Sequence, residues 1–200
     1  MLFSFTATGK IADTLVYFPW KGLDCVRKWL VPANPKTTAQ TTIRGHLSAA
    51  VTAIQGAQTD ASNPLGDVDI SGYRVLASRY PKPMTWWNAI CKVWIDQEVA
   101  SKHSTVYRGC TITPGSDQLE IELYADNIDT GKIETGNFWY GTTPSTLLLS
   151  EAATPDLGSN KMSATITGLT TGVPYYIQFV PLTSADYVGA VSGIYKGIPD

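Results

Sequence analysis

The chain has 200 residues, 44% of them hydrophobic and only 16% charged, with a formal net charge of −2. That composition supports one or two packed domains and excludes collagen-like, coiled-coil and disordered classes, as well as a global polycation or polyanion.

From the N-terminus, Ile11-Ala12-Asp13-Thr14-Leu15-Val16-Tyr17-Phe18 is β-branched and aromatic and predicts a strand. Pro19-Trp20-Lys21-Gly22 predicts a turn, and Cys25 through Val31 a second strand, so a hairpin is expected. After the break at Pro32-Ala33-Asn34-Pro35, Thr37 and Gln40 have capping-box spacing. Ile43, Leu47, Ala50, Val51, Ile54 and Ala57 then fall on one helical face. Residues 58–72, rich in Gly, Asp, Ser and Asn, read as a loop. A second helix is expected from Thr85 to Ala100, apolar on most of its sides and therefore buried on more than one. Beyond it the pattern is β throughout. Leu119, Ile121 and Leu123 alternate with acidic residues; Phe138 to Gly141, Leu147 to Leu149, Met162 to Ile166, Tyr175 to Val180 and Gly189 to Tyr195 supply further short strands. Such spacing predicts a β-sandwich.

Charge and composition change near residue 110. Residues 1–110 carry 12 Lys and Arg against 7 Asp and Glu and hold five of the six tryptophans; residues 111–200 carry 3 against 10. The expected organisation is an α+β unit over 1–110, a β-hairpin plus two helices, followed by an all-β sandwich over 111–200, which the resemblance given below makes immunoglobulin-like. The aromatic surplus of the first half, beside basic residues, makes Trp20, Arg27, Trp29, Trp86, Trp87 and Trp94 the interface candidates.

Motifs for chemistry are missing. His46 and His103 stand far apart, and zinc needs three or four ligands, so no metal site is expected. No nucleophile elbow, P-loop or dinucleotide fingerprint occurs, and no catalytic residue or cofactor is assigned. Glu120 with Glu122 and Asp67 with Asp69 are carboxylate pairs on a strand face and in a loop. Asp126-Asn127-Ile128-Asp129-Thr130-Gly131 lacks the ligand alternation of a calcium loop and reads as a solvated turn. Lys21, Arg27, Lys28, Lys36 and Arg44 suit an acidic protein surface better than nucleic acid. No run of 18 apolar residues predicts a membrane helix, and the first ten residues lack a secretory signal pattern. Cys25, Cys91 and Cys110, none in CxxC spacing, are expected as free thiols of a chain made in a reducing cytoplasm.

The segment from Ser163 to Phe179, with Gly168-Leu169, Thr171-Gly172 and Pro174-Tyr175, resembles the E-to-F corner of a fibronectin type III domain. Tyr140 to Ser145 and Gly189 to Ser192 resemble that family's strand C end and final strand, while Leu123 stands where it has Trp. The resemblance implies that Leu169 plugs the base of the core and that the Tyr175 hydroxyl ties the corner to nearby backbone. In the first half, Gly9-Lys10-Ile11, Trp20-Lys21-Gly22, Val26-Arg27, Asn34-Pro35-Lys36-Thr37-Thr38-Ala39-Gln40 and Arg44 resemble small phage and prophage virion proteins. That implies a non-enzymatic structural protein of a tailed-phage-like particle, a capsid decoration or a tail or neck component. It is expected to be located in the virion, to form homo-oligomers and contacts with other virion proteins, and to touch host glycan weakly. A neighbouring copy's acidic half or an acidic shell protein would receive its basic half. The competing reading is a cell-surface carbohydrate-binding or adhesion module.

Overall fold

A computed structural model describes residues 9–11, 15–30, 36–125, 135–156, 158–182, 187 and 189–200. These fall into two compact units, 1–38 and 39–200.

The first unit holds an antiparallel three-stranded sheet in the order β1–β2–β3: β1 (Gly9–Ile11), β2 (Leu15–Trp20) and β3 (Leu23–Lys28). The hairpin is present, with a tighter turn than expected. β2 runs through Pro19 and Trp20, leaving only Lys21 and Gly22 between the strands. Both have positive φ, 48° and 81°, as a two-residue type I′ turn requires, and glycine adopts this without a Cβ clash.

The second unit carries α1 (Thr38–Thr59), α2 (Asp67–Ser78) and α3 (Trp86–Val99), then eight strands in two antiparallel four-stranded sheets. One sheet has the order β4 (Tyr107–Gly115), β5 (Gln118–Ala125), β9 (Lys161–Thr167), β8 (Thr154–Asp156). The other has β11 (Tyr195–Gly197), β10 (Tyr175–Pro181), β6 (Gly136–Gly141), β7 (Leu149–Ala152). Their facing residues form one core, in which Leu119, Ile121, Leu123 and Ile166 meet Phe138, Ile177 and Phe179. The period-two patterns of β5, β9 and β10 are thus the inward faces that the sequence predicts. The final segment differs from expectation. Residues 189–194 are irregular, held by the Ser192 N–H on the Phe179 carbonyl at 3.1 Å, and the strand is confined to 195–197.

α1 begins beside the Thr37/Gln40 pair, and α3 is capped by Thr85, whose hydroxyl accepts from the Asn88 N–H at 3.2 Å. Ala50, Ala53, Ile54 and Ala57 of α1 are buried. Ile43 and Leu47 continue the same face two turns earlier but are 42% and 44% exposed.

Two expectations need correction. Residues 67–72 belong to a helix, α2, where the sequence reads as loop. Gly72 there breaks helical propensity for a packing reason: a Cβ on it would lie 2.8 Å from the Tyr195 ring, and its carbonyl accepts from the Ile194 N–H at 2.9 Å. The second correction is the division of the chain, which falls at 38/39 instead of 110/111. Residues 39–110 and the sandwich share a packed joint. Ile194 of the sandwich belongs to the helical core, and the Tyr73 hydroxyl of α2 bonds both the Tyr107 carbonyl (3.0 Å) and the Tyr107 N–H (3.1 Å) of β4.

Candidate functional site

The N-terminal sheet is the least self-sufficient part of the molecule. Residues opposite each other on antiparallel strands share a face. The register therefore puts Leu15, Tyr17 and Val26 on one face, and Val16, Phe18, Trp20, Leu23 and Cys25 on the other. The second of these faces is apolar but for Arg27, while the first also carries Pro19, Asp24 and Lys28; of residues 15–30 and 36–49 none is buried. Trp20 is 60% exposed and Leu23, directly opposite, 69%. Arg27 lies on their face, its guanidinium 5.4 Å from the centre of the Phe18 ring, a cation–π arrangement that keeps the charge beside the aromatic surface. Trp29 is half-buried and follows the end of β3.

The helical tryptophans separate into two groups. Trp94 is buried in the helical core, which corrects its expected role as an interface residue: α3 turns that side toward the other two helices. Trp86 and Trp87 are half-buried, pack against the same core, and meet edge to face at 5.5 Å. Trp86 walls an open groove of about 520 Å³ with Arg74, Tyr80, Pro81, Pro83 and Met84.

The corner residues are buried in the sandwich core. The Tyr175 hydroxyl accepts from the Thr170 N–H at 3.1 Å, and the Leu169 N–H donates to the Asp117 carbonyl at 2.9 Å. Gly168, at φ 72°, makes the reversal between β9 and this tie.

Of the carboxylate pairs, Glu122 is held by Lys161 Nζ at 2.7 Å. Asp69, which the sequence places in a solvated loop, is a buried joint. Its Oδ2 accepts from the N–H of Gly66 (3.1 Å) and Gly109 (2.9 Å); its Oδ1 accepts from the Cys110 N–H (3.1 Å) and the Tyr195 hydroxyl (3.3 Å). The legible signal was Asp at N3 after Gly66, a first-turn acid that caps its own helix. Burial pushes this carboxyl up, against the pull of the three backbone N–H groups.

His46 Nδ1 faces Glu98 at 3.4 Å, and the His103 ring lies 5.4 Å from that of Tyr187. Among the described residues no group of three or more His, Cys, Asp or Glu could hold a metal ion, and no helix is long and apolar enough to cross a membrane. The three cysteines are free thiols. The Asp126–Gly131 segment lies outside the described residues.

A second apolar exposure sits on the sandwich. β7 is one of the two edge strands of its sheet and all four of its residues are exposed. Leu148, just before it, is 75% exposed and Leu149 55%. Leu148 forms the rim between two grooves, about 380 Å³ beside Trp139 and about 520 Å³ beside Tyr140 and Tyr175. Set against known protein families and curated proteins, the chain matches none.

Proposed function

We propose that the chain is a non-enzymatic structural protein of a tailed-phage-like particle, which docks through its N-terminal sheet and displays a fibronectin type III-like sandwich. One observation carries this reading: a three-stranded sheet with one largely apolar face, Val16, Phe18, Trp20, Leu23 and Cys25, in which none of the described residues of β2 and β3 is buried. Three strands with one hydrophobic face stand at the lower limit of independent stability, and covering that face removes exposed Trp and Leu from water. Exposed Trp and Leu beside Arg are the composition of an interface centre. The docking element is narrower than the first 110 residues, because the three helices belong to the unit that holds the sandwich. The fibronectin-like assignment draws support from the order of the two sheets and from the tyrosine tie between Thr170 and Tyr175.

The test is incorporation. Trp20→Asp and Leu23→Asp alter exposed side chains, so the circular dichroism of the second unit should be unchanged. Particles purified from cells expressing either variant should lack the chain, whereas Thr165→Asp, on the outer face of β9, should be incorporated normally. Normal incorporation of both arm variants would remove the docking role.

A further inference from the structure

The arm has a complement on the molecule itself. Residues 1–38 carry 5 Lys and Arg against 2 Asp and Glu, a net +3, while the second unit, residues 39–200, carries 10 against 15, a net −5. The apolar rim on that acidic unit is Leu148 and Leu149, at an open strand edge. Glu151 is the acidic residue of this edge, exposed two positions beyond Leu149, and close enough to Tyr140 to add to the effect of burial in raising that phenol. The arm presents the matching set in reverse sign: exposed Trp20 and Leu23 at the hairpin tip, with Arg27 on the same face. Among the described residues the outer edge of β7 has no paired strand, and Trp20 and Leu23 are exposed; both are costly to leave in water, and charge complementarity sets which surfaces meet.

Building on the arm as the docking element, we propose that the N-terminal sheet of one copy seats on the β6–β7 edge of a second copy, Trp20 and Leu23 against Leu148 and Leu149, with Arg27 facing Glu151. The contact is head-to-tail, because the two patches differ, so it closes into rings or propagates.

Sedimentation equilibrium of the full chain tests this. At low ionic strength the mass should rise above 21.7 kDa with concentration, and high salt should lower it again. Trp20→Asp and Leu148→Asp should each sediment as monomers, yet an equimolar mixture should form heterodimers, since one intact arm then meets one intact edge. Arg27→Glu and Glu151→Lys should each weaken association by about tenfold, the scale of a close interfacial charge pair, and the double variant should recover it. A monomer at every concentration in low salt, or association indifferent to Leu148→Asp, overturns the contact. A monomeric chain whose Trp20→Asp variant is lost from particles would refute the copy-to-copy contact while leaving the proposed function intact. Self-association through these residues combined with normal incorporation of Trp20→Asp would do the reverse.

Discussion

Removing the Asp69 carboxylate should destabilise the whole second unit. In Asp69→Ala three backbone N–H groups lose their acceptor. The Cys110 N–H is buried and bears the full cost of about 1–3 kcal/mol; those of Gly66 and Gly109 are partly reachable by water and cost about 1 kcal/mol each. Relief of the carboxylate's own burial offsets part of this, so the expected loss is about 3–4 kcal/mol. Asp69→Asn keeps one acceptor oxygen for Gly66 and Gly109 and turns its NH₂ toward Cys110, for a loss of about 1–3 kcal/mol. Urea unfolding followed by far-UV circular dichroism and by tryptophan fluorescence measures both variants. The two signals should move together, because the carboxylate joins helix α2 to strands β4 and β11. The pH dependence has a defined sign. A carboxyl whose folded pKa lies above its unfolded 3.8 contributes stability that is present below 3.8 and is lost as pH rises through the folded value. Wild type should therefore gain on Asp69→Asn as a neutral solution is acidified. A loss below about 0.5 kcal/mol for Asp69→Ala, the size of an ordinary surface change, would refute the reasoning. So would helical and fluorescence transitions that separate.

Three further outcomes are expected. Leu169→Ala should cost about 2–5 kcal/mol in the same urea assay, as a large-to-small change in the sandwich core. Tyr175→Phe removes only the acceptor for the Thr170 N–H and should cost about 0.5–1.5 kcal/mol; an unchanged midpoint would show that the tie contributes nothing. Under native conditions a thiol reagent should modify half-buried Cys25 first, and should reach Cys110, buried with its thiol pushed well up, only on unfolding. Equal reaction rates would contradict the burial of Cys110.

What the sequence made legible depended on periodicity. Leu119, Ile121 and Leu123 alternate without interruption, and Thr85 stands directly before an apolar helix, so β5 and α3 could be read from local pattern alone. α2 could not. Gly72 and three Asp and Ser residues imitate loop chemistry, and the reason for Gly72 lies 123 positions away, in the Tyr195 ring. Asp69 was hidden for the same reason, since all but one of its four donors come from β4 and β11. Trp94 was misjudged because a helix apolar on most sides does not reveal which side its neighbours take. The shift in charge near residue 110 is real in the sequence but reports surface character; the packed joint crosses it through Tyr73, Asp69 and Ile194.

The contrast between the two units bears on how assembly would proceed. The second unit orders itself, with cores on both sides of the Asp69 joint. In the first, none of the described residues of β2 and β3 is buried, so in the proposed docking it is the burial of Trp20 and Leu23 that offsets the cost of ordering the contact. In that docking, part of each contact's gross energy goes into immobilising side chains and desolvating polar groups, which keeps a single contact weak. Weak contacts repeated around a symmetric particle add through effective concentration, so that one copy exchanges readily in solution while a completed ring holds. That behaviour suits a component added to a growing shell, where an early mistake must be reversible and the finished array must not be.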